Sequence, residues 1–309
     1  MEDSKRKVVL VGDGAVGSSF AFSLLQSTQV SEMVIVDLQE EHAQGDVIDL
    51  QDTLPETTPA KFYTGTYEDA SDADIVVITA GVPRKSGETR LDLVNKNAKI
   101  LDSIVTPVVN SGFDGVFLIS SNPVDVLTSI TQRLSGFPKN RIIGTGTSLD
   151  TARLRVLLAQ ELGIGTKGVN ATIFGEHGDS SFANFDEATV NGKPLRGLPG
   201  MTNDRLDEIE EAVKRRGGQI ISKKGATFYG VAVNLVRICQ AILNDSDVVL
   251  PVSAPLSGQY GLSDIYIGTP AVINANGIQK VIEYPLSEAE LKKMRYSAEK
   301  LNEVLLEAN

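Results

Sequence analysis

The stretch VVLVGDGAVGSSF, residues 8–20, places glycines at positions 12, 14 and 17 between an apolar run and an amphipathic run. The apolar run indicates a buried strand, and the residues after the turn indicate a helix. In this setting Gly12 allows a tight turn, Gly14 lets the backbone approach a pyrophosphate, and Gly17 allows close helix–strand packing. The helix N-terminus then faces the phosphates. The stretch predicts a dinucleotide site on an α/β domain.

Asp37 follows the next apolar run, 20 residues after Gly17. A carboxylate at the end of the second strand accepts hydrogen bonds from ribose hydroxyls, and it repels a 2′-phosphate. The pair of motifs therefore favours NAD over NADP as the cofactor. The alternative is a turn that needs glycines for its backbone, with Asp37 as an N-capping carboxylate.

Outward from this stretch, short apolar runs alternate with amphipathic ones. Continuous Val/Ile-rich strands separated by helices predict a parallel sheet covered on both faces, which is a doubly wound Rossmann domain of the α/β class spanning residues 5–145. Pro107 is expected to kink or break the third helix. The predicted strands are 7–12, 32–38, 74–81, 115–120 and 141–146, and the predicted helices are 15–27, 40–53 and 88–112.

The pattern changes after residue 145, and residues 146–309 are predicted to form a second, α+β domain for catalysis and substrate binding. Its four predicted parts are an antiparallel segment at 171–195, a long helix at 202–245, a β-meander at 248–287 and a terminal helix at 288–308.

Composition excludes several protein classes. The chain of 309 residues has 29 Lys and Arg against 40 Asp and Glu, a net charge of −11, which argues against nucleic-acid binding. No run approaches the roughly 18 apolar residues of a membrane span. Cys239 is the single cysteine, so no intrachain disulfide forms, and a cytoplasmic location fits. Cys239 itself is expected to be a small buried helix residue.

Two histidines are present, and they differ in setting. His42 lies in the polar run EEHAQGD and is expected to be a solvated surface residue. His177 lies in GEHGDSS, between glycines and acids. It is either a turn residue that tolerates an unusual backbone or an acid/base that reaches a substrate.

Asp150 and Arg153 are spaced i, i+3 in GTSLDTARLR and share one face of a helix. That face could orient His177 with a carboxylate and bind a substrate carboxylate with a guanidinium. Taken alone, such a pair is more often an N-cap and a surface ion pair than a catalytic pair. A further cationic stretch, GVPRKSGETR at 81–90, follows a predicted strand and is expected to meet an anion.

Six motifs together resemble the L-lactate dehydrogenase family, within the lactate/malate dehydrogenase superfamily, in the form found in lactic acid bacteria. The resemblance runs in order from about residue 7 to about residue 305 and needs no metal. The motifs are GDGAVGSSFAFSLL, TAGVPRKSGETRLDLVNKN, SSNPVD, GTSLDTARLR, GEHGDSS and KGATFYGVAV.

The resemblance implies reversible reduction of pyruvate to L-lactate by NADH, in glycolysis and fermentation. His177 would donate the proton to the carbonyl oxygen, and Asp150 would hold the imidazole and favour its charged form. Arg153 would bind the substrate carboxylate. Arg90 would stabilise the developing oxyanion. The loop 81–90 would close over the bound substrate and exclude water.

The resemblance also implies the rest of the site and the assembly. Asn122 would contact the substrate carbonyl oxygen and the cofactor, and Thr227 would line the pocket. The protein would be a cytoplasmic homotetramer. Besides Gly12, Gly14, Gly17 and Asp37, the implied cofactor contacts are Val16, Tyr67, Gly81, Val82, Ser120, Asn122 and Thr145.

Arg84 departs from the family pattern, since lactate dehydrogenases usually carry Gln there and malate dehydrogenases Arg. It could pair with the second carboxylate of oxaloacetate, or it could face solvent. A malate dehydrogenase or a broad 2-oxo-acid reductase is therefore an alternative. Against it, the motifs around Arg90 and His177, and Thr227, are of the lactate type. A third hypothesis is a catalytically silent NAD-binding structural protein. It predicts that the catalytic residues are replaced, whereas this sequence has them.

A second departure concerns regulation. Many bacterial relatives are activated by fructose 1,6-bisphosphate through an Arg and a His at a subunit interface. Arg155 matches the Arg, but Asn170 stands at the position of the His. Half of the anion site is missing, which predicts weak or absent activation.

Overall fold

The computed structural model describes residues 6–27, 30–57, 59–83, 87 and 89–307, with the side chain of Arg90 excepted. These residues form a nine-stranded sheet, a three-stranded sheet and eight α-helices. The strands are β1 (Lys7–Val11), β2 (Glu32–Val36), β3 (Lys61–Thr64), β4 (Ile75–Ile78), β5 (Val116–Ile119), β6 (Ile142–Gly144), β7 (Val169–Phe174), β8 (Phe182–Val190), β9 (Lys193–Pro194), β10 (Val248–Ser257), β11 (Ser263–Asn274) and β12 (Gly277–Val281). The helices are α1 (Ala15–Ser27), α2 (Glu40–Asp52), α3 (Arg90–Asn110), α4 (Val124–Ser135), α5 (Ser148–Leu162), α6 (Asn203–Lys224), α7 (Tyr229–Leu243) and α8 (Glu288–Glu307).

Six parallel strands build the first part of the large sheet, in the order β3-β2-β1-β4-β5-β6. Strands β1, β4 and β5 are buried at every position, because helices cover both faces of the sheet. The predicted doubly wound Rossmann sheet is confirmed. Strand order reverses between β1 and β4, and the crevice outside the carboxyl ends of these two strands is where such folds bind ligands.

Two elements of this half are absent from the sequence prediction. β3 has only four residues and its first, Lys61, is exposed, so KFYT lacks the continuous apolar run of a central strand. α4 follows Pro123 and ends at Gly136, whose φ is +66°. Its Thr and Ser residues weaken the apolar pattern, although Thr128, Ser129 and Thr131 are buried in the fold.

The meander extends the parallel sheet. β10, β11 and β12 pair antiparallel with one another, as predicted, and β10 joins β6 through the pairing of Ser253 with Gly144. β7, β8 and β9 form the separate antiparallel sheet. One continuous sheet thus carries both halves of the chain.

One predicted helix was wrong, and a break at Pro107 does not occur. The long helix expected over 202–245 is two helices, α6 and α7, because the backbone turns at Gly225 with φ +86°. The helix α3 does not break at Pro107 and runs on to Asn110. Pro107 lies in the last turn, where few helical hydrogen bonds remain to be lost.

α7 packs against α1, so a helix from the second half of the chain covers the Rossmann sheet. Cys239 on α7 is fully buried in this contact region, as predicted, and burial raises the pKa of its thiol. No helix in the described ranges is long and apolar enough to cross a membrane.

Candidate active site

The glycines of the turn after β1 are of two kinds, those required by packing and one that leaves open space. A Cβ on Gly12 would lie 2.5 Å from the Ala80 nitrogen, and a Cβ on Gly17 would lie 2.0 Å from the Gly12 oxygen. Gly12 also has φ +102°, which favours glycine. By contrast, no described atom lies within 4 Å of a Cβ built on Gly14. Gly12 and Gly17 are therefore required by packing, whereas Gly14 leaves open space at the start of α1.

A cavity of about 430 Å³ opens beside this turn, at the reversal of strand order. It contains six of the residues predicted to contact the cofactor: Gly12, Gly14, Asp37, Tyr67, Gly81 and Val82. The remaining predicted contacts lie nearby in the fold: Val16 and Gly17 in the first turns of α1, Ser120 and Asn122 after β5, and Thr145 after β6. The sequence analysis missed the wall supplied by α3, which consists of Ile100, Ser103 and Ile104.

Asp37 ties the two loops of the nucleotide side together. One carboxylate oxygen accepts the Asp13 N–H at 2.6 Å, and the other accepts the Gln39 N–H at 2.8 Å. The side chain still lines the cavity. Burial, followed by the nearby charge of Asp37, raises the pKa of Tyr67, so its phenol stays neutral at the cavity wall.

Asp13 is a buried carboxyl that the sequence analysis did not single out. It is 1% exposed, and its oxygens have no hydrogen-bond donor among the described residues. Burial, with the negative charges of Asp46 and Asp37, raises its pKa to about 7. The turn that would hold a pyrophosphate thus carries a carboxyl poised to bind a proton near neutral pH.

His42 is exposed, as predicted, with its Nε2 3.9 Å from an Asp46 oxygen. The structure adds that His42 lines the same cavity as Gly12 and Asp37. The polar run around it gave no sign of this, because the cavity wall forms only when α2 packs beside the glycine turn.

Asn97 joins two loops of the site and was also missed. Its Oδ1 accepts the Val82 N–H at 2.9 Å, and its Nδ2 donates to the carbonyl oxygens of Val82 at 3.2 Å and of Asn122 at 2.7 Å. The side chain is 3% exposed. A buried amide that satisfies both of its ends fixes the loop after β4 against the loop after β5. An uncharged polar residue on the buried face of a predicted helix was the available signal.

His177, Asp150 and Arg153 come together as predicted. The imidazole Nδ1 lies 2.6 Å from Asp150 Oδ2, and Arg153 Nη1 donates to Asp150 Oδ1 at 3.3 Å. Asp150 is 7% exposed in the first turn of α5. A hydrogen-bonded carboxylate on one ring nitrogen fixes the tautomer and leaves the Nε2 side of the ring for a substrate.

The charges at this pair favour the ionised forms. The negative charge of Asp150 raises the pKa of His177 above its ordinary value, against the opposing effect of burial. Burial would raise the pKa of Asp150, but the charge and hydrogen bond of His177 and the charge of Arg153 outweigh it, and the pKa is lowered. The pair therefore favours an imidazolium beside a carboxylate, and an imidazolium can donate a proton.

The backbone of the histidine loop is held by three different elements. The Gly175 N–H donates to the Gly268 carbonyl of β11 at 3.0 Å, and the Glu176 N–H donates to Ser297 Oγ of α8 at 2.6 Å. The His177 N–H donates to Asp125 Oδ2 of α4 at 2.8 Å. Three successive backbone amides thus anchor the loop, and this loop places the imidazole beside Asp150.

Two predicted substrate residues lie in loops beside these elements. Asn122 is exposed and precedes Asp125 by three positions. Thr227 lies between α6 and α7, and its buried hydroxyl has no hydrogen-bond partner among the described residues. A Cβ on Gly230 would lie 2.8 Å from Leu149 Cδ1, so the α6–α7 junction packs beside the turn that carries Asp150.

Arg84 lies outside the described residues, and for Arg90 only the backbone is described. Arg90 begins α3 directly after the cap residue Thr89, whose hydroxyl accepts the Asp92 N–H at 3.1 Å. The expected roles of both arginines and of loop closure remain predictions.

Arg155 and Asn170 lie on neighbouring elements, α5 and β7. Arg155 Nε donates to the carbonyl of Ala171 at 3.0 Å, and Asn170 is exposed. Arg155 also lines a second cavity, of about 480 Å³, with Lys167 and Arg237. Burial, followed by the charge of Arg237, lowers the pKa of Arg155. Lys167 and Arg237 were not among the residues predicted from the sequence.

Comparison with known proteins places the whole chain in one family. The sequence profile described as lactate/malate dehydrogenase, NAD binding domain, matches residues 6–144, and the profile of the alpha/beta C-terminal domain matches residues 147–309. L-lactate dehydrogenase 2 of Lactiplantibacillus plantarum is 62% identical over 301 residues, covering 97% of both chains. L-lactate dehydrogenase of Lactobacillus delbrueckii subsp. bulgaricus is 62% identical over 294 residues, covering 95% of this chain and 96% of that one.

Solved structures agree with this relation. The minor L-lactate dehydrogenase of Enterococcus mundtii, in its ligands-bound form, superposes with a TM-score of 0.95 at 41% identity, covering 98% of both chains. A lactate dehydrogenase from a Medee basin deep-sea metagenome library gives a TM-score of 0.95 at 40% identity, with the same coverage. The chain belongs to the lactate/malate dehydrogenase family.

Proposed function

We propose that the protein is an NAD-dependent L-lactate dehydrogenase that reduces pyruvate reversibly to L-lactate, with His177 as the proton donor and acceptor. The observation that carries the proposal is the contact between His177 Nδ1 and Asp150 Oδ2, with Arg153 bound to the other oxygen of the same carboxylate. One carboxylate thereby positions a proton donor and a cation on the same side of α5.

The residues of the cofactor cavity fit NAD. Gly14 leaves open space at the N-terminus of α1, where a pyrophosphate meets backbone N–H groups. Asp37 lines the same cavity with a carboxylate suited to ribose hydroxyls. NAD is the cofactor, and when bound it supplies or accepts the hydride.

The chain's own residues supply binding and proton transfer. Arg153 would bind the carboxylate of pyruvate, since a guanidinium and a carboxylate form paired hydrogen bonds. His177 would donate the Nε2 proton to the carbonyl oxygen, and Asp150 would stabilise the charge on the ring before transfer. Arg90 and Asn122 would stabilise negative charge on that oxygen, and Thr227 would line the pocket.

Arg84 favours a second substrate, oxaloacetate, whose additional carboxylate it could bind. The test is kcat/KM for pyruvate against oxaloacetate with NADH, in the wild type and in Arg84→Gln. We expect pyruvate to be preferred, and the preference to increase in Arg84→Gln but not in the charge-matched control Lys85→Gln. A clear preference of the wild type for oxaloacetate would overturn the pyruvate assignment and leave the dehydrogenase chemistry intact.

We further propose that the protein is a cytoplasmic homotetramer with domains at 5–145 and 146–309. The family profiles meet between residues 144 and 147, which supports the division.

Phe22, Tyr229 and Val233 are 50%, 68% and 59% exposed and line one surface cavity, which supports a subunit contact there. Light scattering of the wild type and of Val233→Asp tests the assembly; a monomeric wild type would contradict it.

Activation by fructose 1,6-bisphosphate is proposed to be weak or absent, because Asn170 replaces a histidine beside Arg155. The supporting observation is that Asn170 is exposed and adds no positive charge to the surface near Arg155. Pyruvate reduction with and without the bisphosphate, in the wild type and in Asn170→His, tests this. Activation that appears only in Asn170→His is the expected result.

A further inference from the structure

Asp125 is a buried carboxyl beside the histidine loop for which the mechanism above has no use. It is 2% exposed and lies in the first turn of α4, three residues after Asn122. A carboxylate removed from water costs free energy unless it is paired or hydrogen-bonded. The burial of this carboxyl therefore indicates that Asp125 has a function in the site.

The contacts of Asp125 point to His177. One carboxylate oxygen accepts the backbone N–H of His177 at 2.8 Å. The position at the N-terminus of α4 favours a negative charge. The fully buried side chain of Ser253, from β10, lies beside the carboxyl and also favours its ionised form.

The charges around the imidazole come from two helices. Asp150 and Arg153 face it from α5, and Asp125 faces it from α4. Asp150 has the largest effect in raising the pKa of His177, Asp125 adds to it, and Arg153 opposes it. Burial raises the pKa of Asp125, and Ser253 with the amide and charge of His177 act against that rise. Two carboxyl groups therefore act on one imidazole, and only Asp150 also binds the guanidinium of Arg153.

We propose that Asp125 is a positioning residue that holds the catalytic histidine loop through the His177 N–H and keeps the imidazole protonated. It also links two parts of the site, because α4 begins directly after the loop that carries Asn122.

This inference rests on the proposed function, in which protonated His177 is the active form for reduction of a 2-oxo acid. The test is the pH dependence of kcat/KM for pyruvate in Asp125→Asn. An asparagine can still accept the His177 N–H, so the loop stays in place while the charge is lost. Asp186→Asn makes the same chemical change at an exposed residue paired with Arg196, and serves as the control.

We expect activity in Asp125→Asn to be lost at a pH lower by about one unit than in the wild type. The reason is that removal of a negative charge lowers the pKa of the imidazole. The control should keep the wild-type profile. An unchanged profile in Asp125→Asn overturns the proposal, because a merely structural role would change stability without moving the pKa.

Two further measurements keep the test decisive. If Asp125→Asn does not fold, Ser253→Ala removes only the hydroxyl beside the carboxyl and should shift the profile in the same direction by a smaller amount; no shift there overturns the proposal. If the wild type fails to reduce pyruvate, the substrate assignment fails, and the same profiles are measured with oxaloacetate, since His177 serves either 2-oxo acid.

Discussion

The nucleotide turn and the histidine site are built in opposite ways. The turn uses Gly12, Gly14 and Gly17, which lie within six consecutive residues, and the backbones of Gly12 and Gly17 are in close contact. The histidine site gathers residues from α4, α5, the loop after β7, β11 and α8. The first can be read as a local motif. The histidine site exists only after distant elements pack. A substitution in the histidine site should therefore affect chemistry more than cofactor binding.

The largest expected effect is on His177. His177→Asn should lower kcat for pyruvate reduction by about 10³-fold, because the proton donor is lost and general acid catalysis contributes on this scale. NADH affinity, measured by fluorescence titration, should stay within about twofold of the wild type, since the nucleotide turn is built independently. A matching loss of NADH affinity would show that the two regions are not separate.

Asp150→Asn should lower kcat/KM for pyruvate by roughly 10²-fold at neutral pH, because the imidazole loses its orienting and charge-stabilising partner. The direction of the pH effect follows from the raised pKa of His177. Reduction needs the protonated ring, so activity is lost as pH rises through that pKa, and in Asp150→Asn the loss should occur at lower pH. A pH–rate profile measured at saturating NADH checks both points; a shift to higher pH would contradict the assignment.

Gly17→Ala and Gly14→Ala form a matched pair on the nucleotide side. The alanine Cβ at position 17 would collide with the Gly12 oxygen, so we expect destabilisation of about 1–3 kcal/mol together with weaker NADH binding. At position 14 the space is open, so thermal stability should be retained while NADH binds roughly tenfold more weakly, a loss of about 1.4 kcal/mol. Thermal melts and NADH titrations distinguish them. Equal melting temperatures for the two variants would show that the third glycine is not a packing requirement.

Asp13→Asn should have the smallest effect, and it should depend on pH. The folded-state pKa of Asp13, about 7, lies above the ordinary value of 3.8, so the folded state holds a proton that the unfolded state releases. The contribution of Asp13 to stability therefore falls as pH rises from about 4 to about 7. Asp13→Asn should melt about 2–4 °C above the wild type at pH 8, with the difference shrinking toward acid pH. A difference that grows toward acid pH would reverse the sign argued here.

The sequence predicted the Rossmann half well because its signals are local. Five strands between residues 7 and 146 match β1, β2, β4, β5 and β6 within a few residues, and Asp37 lines the cavity beside the glycine turn. The prediction of one long helix over 202–245 was wrong because Gly225 turns the chain, although the apolar pattern continues past this residue. β3 was missed because KFYT lies at the sheet edge and carries a mixed pattern.

The site beyond the motifs could not be predicted in the same way. Asp150 and Arg153 could be paired from their helical spacing, and the resemblance connected them with His177. Asn97 and Asp125 gave no comparable signal, although both stand in the motifs that carry the resemblance. Their partners are a backbone N–H and carbonyl groups at least 15 positions away, and a sequence does not show which backbone group a side chain will reach.

The sequence by itself determined the glycine turn, the parallel strands and the residues that bear charge, because glycine conformation and apolar periodicity act over a few neighbouring positions. Tertiary structure alone decided that β10 extends the first sheet beside β6. It also decided that Gly175, Glu176 and His177 donate to three separate elements, and that Asp150 binds the ring of His177 while Asp125 binds its backbone N–H. The physical reason is that buried amides and carboxylates must find partners, and only the packed chain determines which groups come within hydrogen-bonding distance.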